Sequence, residues 1–197
     1  MIPMIKFLKK IQNTLYTYSS GENVLFFFIV TQILYALMII YSIPKVMQYS
    51  NGMQILDLLP TGYSAHYVQT LFQSLGEIGR ETYLFQQIPL DMIYPGLFAI
   101  SYSLLLTLIL KNTFSKENKI QLLSMVPILA GLFDYAENIG IIIMLYTYPD
   151  FTILLANITA IFSILKSTFT VVMFMLLIIG IIMFFIKKIK NKKTNLK

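Results

Sequence analysis

A chain of 197 residues that is 57% hydrophobic and only 12% charged has too little polar surface to cover a water-facing core; soluble domains carry about 25% charged residues. With a mean hydropathy of +0.72, it reads as an integral membrane protein. The lack of cysteine excludes thiol redox chemistry, disulfides and Cys-based zinc sites, and the single histidine, His66, excludes a multi-His metal centre.

The net charge of +6 does not point to nucleic acid, because the lysines cluster beside apolar stretches without aromatic–basic interleaving. Such flanks set topology and meet anionic lipid headgroups. In chain order, residues 1–23 form an amphipathic segment bearing Lys6, Lys9 and Lys10. No small-residue cleavage site follows, so the segment is not read as a cleaved signal peptide. No charge interrupts the chain between Glu22 and Lys45, and residues 24–43 form the first span.

The connection over 44–91 is long, and a helix is predicted within it over about 64–75. Tyr67, Val68, Leu71, Phe72 and Leu75 recur at helical spacing behind a cap at Ser64. Gly76 and Gly79 end that helix, and residues 80–87 read as a second helical piece leading through Pro89 into span two, 92–110. Residues 111–119 form a loop carrying Lys111, Lys116 and Lys119. Span three follows over 120–148 and span four over 151–186. At a 1.5 Å rise the last stretch exceeds about 50 Å, so it tilts, kinks or begins outside the hydrocarbon core. The tail, 187–197, holds Lys187, Lys188, Lys190, Lys192, Lys193 and Lys197.

Lysine asymmetry orients the bundle. Both termini and the 111–119 loop hold most of the bases, while the opposite side has only Lys45 and Arg80 outside the spans. The positive-inside rule places both termini in the cytoplasm, which four crossings satisfy. The expected fold is therefore an all-α bundle of four transmembrane helices. An extracytoplasmic amphipathic segment joins the first two, and the whole is a single membrane domain without internal repeat.

Chemistry is concentrated in Asp134-Tyr135-Ala136-Glu137-Asn138, a polar run inside span three. Its three polar side chains stand at i, i+3 and i+4 and share one helix face. An ionised side chain at mid-membrane costs about 2.5–3.5 kcal/mol on insertion scales, so these acids need partners, water or protons. Counted from Ile120, Asp134 lies roughly 20 Å up and Glu137 about 25 Å up; Lys166 lies about 31 Å above Lys187. Asp91 opens span two at that side, with Arg80 just before it.

An outward-facing polar pocket of Arg80, Asp91, Asp134, Glu137, Asn138 and Lys166 is the functional expectation, with Tyr83 and Tyr94 as secondary candidates. The structural alternative is an interhelical ion pair of Lys166 with Asp134 or Glu137 that fixes register. Arg80 also has local partners in Glu77 and Glu81, and Asp91 and Asp57 also suit helix caps or turns. A metal would find only oxygen ligands, Asp91, Asp134 and Glu137, which suit a hard cation. No Gly-rich phosphate loop, HExxH or nucleophile elbow is present, and no cofactor is indicated.

The order Gly79-Arg80-x-x-Tyr83, Asp91-x-x-Tyr94-Pro95, Asp134-x-x-Glu137-Asn138 and Leu165-Lys166 resembles a family of bacterial four-span membrane proteins with no known activity. The resemblance covers most of the chain after the first span and implies a four-helix architecture. Three functional classes follow. The first is binding or processing of a small polar or amphiphilic molecule, such as a lipid headgroup. The second is a non-enzymatic accessory, immunity or interaction protein whose polar cluster is structural. In that case Gly96, Ala99, Ser103, Ala130 and Gly131 supply small-residue packing stripes on the lipid face. The third is ion- or proton-coupled transport by a homo-oligomer. The Ile/Lys/Asn-rich composition and lack of a targeting signal fit a bacterial plasma membrane.

Overall fold

In the computed structural model, which describes residues 2–194, the chain is almost wholly helical, with no strand among the described residues. Lys197 of the basic tail lies outside them. Helix α1 (Ile2–Tyr18) precedes α2 (Gly21–Leu37), whose start is fixed by Ser20. The Ser20 hydroxyl accepts the Asn23 N–H at 3.2 Å, satisfying one of the donors a helix start leaves open. A π-helical turn over Met38–Ser42 carries α2 into α3 (Ile43–Met47), where Pro44 sits in the first turn and needs no N–H. The first apolar stretch is thus one rod over Gly21–Met47.

Helix α4 (Ala65–Thr82) is capped by the Ser64 hydroxyl, which accepts the Tyr67 N–H at 3.1 Å. Val68, Leu71, Phe72 and Leu75 are buried along one face, as their spacing dictates. The helix breaks at Gly76, where φ is +60° and ψ −173°, a backbone that a β-carbon would strain. From beyond the break, Arg80 Nη1 donates to the Phe72 carbonyl at 2.9 Å, and the guanidinium lies 4.4 Å over the Tyr148 ring.

A second π-helical turn, Tyr83–Gln87, leads into α5 (Ile88–Thr113). The two π-helical turns meet, with Ser42 Oγ donating to Gln87 Oε1 at 2.6 Å. Helix α5 starts before the expected 92 because Pro89 falls in its first turn, where it is tolerated. The third apolar stretch is α-helical from later than expected. Asn118 Oδ1 accepts the Ile120 N–H at 3.0 Å and opens a 3-10 segment, Lys119–Met125, before α6 (Val126–Thr147). The fourth stretch is one helix, α7 (Ile153–Thr194), of 42 residues. At 1.5 Å per residue it is about 63 Å long, twice a hydrocarbon core of about 30 Å.

Among the described residues, four helical rods are long and apolar enough to cross a membrane. Helix α5 is the hub, packing on α2, α6 and α7, and α6 in turn packs along α7. Close approach is what the glycines on α6 permit. A β-carbon on Gly131 would meet the Pro95 carbonyl oxygen at 2.7 Å, and the Thr159 side chain fills the place of a β-carbon on Gly140. Ala99 also faces Gly131, while Ser103 and Ala130 are buried, so these small residues serve packing inside the bundle.

The lysine-bearing segments gather at one end. Lys111 Nζ donates to the Ser19 carbonyl at the end of α1, and Lys116 lies 5.0 Å over the Tyr16 ring. Lys187 Nζ donates to the carbonyls of Asn112 and Thr113 at 2.9 and 3.0 Å, capping the C-terminus of α5.

Candidate functional site

The polar run on α6 is buried: Asp134 is 7% exposed, and Glu137 and Asn138 are fully covered. Lys166 on α7 faces the two acids, its Nζ 3.2 Å from Asp134 Oδ1 and 2.6 Å from Glu137 Oε2. The first contact is a hydrogen bond and the second a close ion pair. One lysine therefore serves two carboxylates.

Asn138 does something else. Its Nδ2 donates to the Asp91 backbone carbonyl at 2.8 Å. That carbonyl is the one Pro95 leaves without a donor, since proline at i+4 has no N–H. A buried carbonyl so orphaned costs about 1–3 kcal/mol, and the Asn138 amide removes that cost. The same bond pins α6 to the start of α5 and fixes where Asp91 stands.

The Asp91 side chain is 3% exposed and shares a cavity with the Asp57 carboxyl. Asp57 belongs to a short 3-10 turn, Leu56–Leu58, and its Oδ2 accepts from the hydroxyl of Tyr83, which is wholly buried on the second π-helical turn. Asp57 Oδ1 and Asp91 Oδ2 have no hydrogen-bond partner among the described residues. Two carboxyl groups that face each other repel unless a proton or a cation stands between them. Tyr63 completes this side. Burial pushes its hydroxyl well above the usual tyrosine range, and the nearby Glu137 and Asp57 carboxylates add to the effect, so it stays a proton donor.

These groups close the polar end of a cavity of about 510 Å³, within the roughly 300–1,000 Å³ typical of small-molecule sites. Asp57, Asp91, Asp134 and Lys166 line that end, and Tyr35, Tyr94, Phe98, Tyr102 and Phe174 form an aromatic trough leading away. Tyr35 stacks on Tyr94 with centroids 5.7 Å apart, and Phe98 lies 4.6 Å from Tyr102. Helix α2 forms one wall and α7 the other, with α5 beneath. Both walls pack against α5 but scarcely touch each other, which leaves them unjoined beside the trough.

Of the residues expected from the sequence, Asp91, Asp134, Lys166 and Tyr94 line the cavity. Glu137, Asn138 and Tyr83 stand directly behind them. Arg80 is not among the lining residues; its guanidinium is engaged by the Phe72 carbonyl and the Tyr148 ring. No group of three acidic or imidazole side chains among the described residues is disposed to hold a metal ion.

Asp57 was legible only as a turn residue. Its signal was context, since Leu56-Asp57-Leu58-Leu59 is a loop too apolar to lie in water. The trough residues Tyr35, Phe98 and Tyr102 carried no signal, because aromatic residues are as common on lipid-facing surfaces. Comparison of the chain with protein-family models, curated proteins and solved structures finds no match. The functional reading therefore rests on the geometry.

Proposed function

We propose that this chain is an integral protein of a bacterial plasma membrane that binds or processes a small amphiphilic molecule in an intramembrane pocket. Both termini and the 111–119 loop face the cytoplasm. The pocket, closed above by the amphipathic connection between the first two spans, lies in the outer half of the bilayer. The observation that carries this reading is the joining of two environments in one cavity: a buried ionic end and an aromatic trough between the unjoined α2 and α7. A water-soluble ligand would need no aromatic trough, and a purely structural ion pair would need no cavity beside it. The lysine clusters gathered at the opposite end support the orientation and a contact with anionic headgroups there.

The cysteine-free chain makes both halves testable by single-cysteine labelling in intact cells. An impermeant maleimide added outside should label Asn51→Cys and leave Ser115→Cys untouched; the reverse pattern defeats the orientation. Thr170→Cys, in the trough, should react with a lipid-soluble maleimide and resist the impermeant one. It should be protected by amphiphiles that compete for the trough. Equal reaction with both reagents would show a water-filled cleft and end the amphiphile reading.

A second reading has its own observation. Lys166 bridges Asp134 and Glu137 as an interhelical clamp would, which fits an accessory or interaction protein held together by that triad. The triad explains its own three charges. It leaves Asp57, Asp91 and the cavity without a role.

A further inference from the structure

Taking the amphiphile pocket as its basis, we infer that the bound molecule carries a primary or secondary amine, whose ammonium head sits between the carboxyl groups of Asp57 and Asp91.

Charge balance comes first. The polar end holds Asp57, Asp91, Asp134 and Glu137 against one cation, Lys166, and Lys166 is already within 3.2 Å of Asp134 and 2.6 Å of Glu137. The surplus of acid is on the Asp57–Asp91 side. An anionic head, a phosphate or carboxylate, would meet carboxyls there, since Arg80 points to Tyr148.

Hydrogen-bond balance agrees. Asp57 Oδ1 and Asp91 Oδ2 are acceptors with no partner among the described residues, and Asp91 is 3% exposed. An ionised carboxylate accepts only, so unless the two acids share one proton their missing partner must bring an N–H or O–H. An ammonium group brings up to three donors and the charge together. A quaternary ammonium brings charge but no donor and leaves both acceptors unmet. Beyond the carboxyls the wall is aromatic: Tyr94, stacked with Tyr35, offers a ring face to a cation, and the trough past Phe98 accepts an alkyl chain. The Tyr83 hydroxyl holds the other oxygen of Asp57, so the acid is fixed in place before a ligand arrives.

The test uses the full chain with Thr170→Cys in lipid nanodiscs, reading protection against a lipid-soluble maleimide. Four probes share one chain length and differ only in the head: dodecylamine, dodecyltrimethylammonium, dodecanol and dodecyl phosphate. Dodecylamine should protect at a concentration about tenfold or more below each of the others, the effect expected of a charge-assisted hydrogen bond in a buried site. Adding Asp91→Asn or Asp57→Asn should bring the amine to the level of the alcohol, with helicity and elution profile confirming that each variant folds.

If all four heads protect alike, or the phosphate or quaternary head protects best, the amine assignment is wrong and the amphiphile pocket stands. If no probe protects, the pocket reading itself fails and the amine assignment falls with it. The comparison among heads on the chain with both aspartates intact decides the matter even if neither variant folds.

Discussion

The two ends of the bundle treat charge in opposite ways. At the lysine end, Lys111 and Lys187 place their ammonium groups on backbone carbonyls that a helix end leaves unpaired, close to solvent. Each charge there completes a local structure. At the other end, acids are sunk among apolar side chains, and they outnumber the cation they face. Charges of the first kind follow from how helices end. Charges of the second kind cost stability unless satisfied, and their distribution separates a structural part from a part left to meet something else.

That division predicts opposite outcomes for two neutralising substitutions on one cavity. Lys166→Met strands Asp134 and Glu137 without their cation and should destabilise the chain by about 3–5 kcal/mol. Combining it with Asp134→Asn and Glu137→Gln should restore most of the loss. Asp91→Asn removes one of two facing carboxyls and should leave stability unchanged or raise it, as expected where a group is kept at a stability cost. Reversible unfolding in mixed micelles measures both. A large loss from Asp91→Asn would move Asp91 into the structural triad and erase the distinction drawn here.

Next in size is the Asn138–Asp91 bond. Asn138→Leu leaves the Asp91 carbonyl buried without a donor and should cost about 1–3 kcal/mol. Pro95→Ala in the same background supplies the missing backbone N–H and should recover much of it. No recovery would mean that the Asn138 amide acts through some contact other than the proline break.

Much of the frame was legible in the sequence. Four apolar stretches gave four rods, because a helix is the element that satisfies its backbone in lipid within a single segment. The i, i+3, i+4 spacing put Asp134, Glu137 and Asn138 on one face, and counting the rise from each span's lysine end put Lys166 near their level. What stayed hidden shares one physical cause: it depends on contacts between segments distant in sequence. The pairing of Asn138 with the carbonyl freed by Pro95, the meeting of Asp57 and Asp91 on one cavity, and the gap between α2 and α7 have no local periodicity to announce them. Arg80 shows the converse: a lone arginine beside glycines looks like a ligand group, while its contacts with the Phe72 carbonyl and the Tyr148 ring had no signal in the sequence.

Arg80 also supplies the smallest contrast, between two cations that do the same job in different surroundings. It caps the Phe72 carbonyl in a partly buried setting and stacks on Tyr148, whereas Lys187 caps Asn112 and Thr113 in the open. Arg80→Met should cost about 1–2 kcal/mol, the sum of a helix-end contact and a desolvated cation–π contact. Lys187→Met should cost no more than about 0.5 kcal/mol, because solvent screens its charge and neighbouring lysines can replace it. Neither substitution should change the head-group preference of the cavity, since neither side chain reaches it. If Arg80→Met altered which dodecyl head protects Thr170→Cys while Lys187→Met did not, the guanidinium would belong to the site after all. The acid surplus assigned to Asp57 and Asp91 would then have to be recounted.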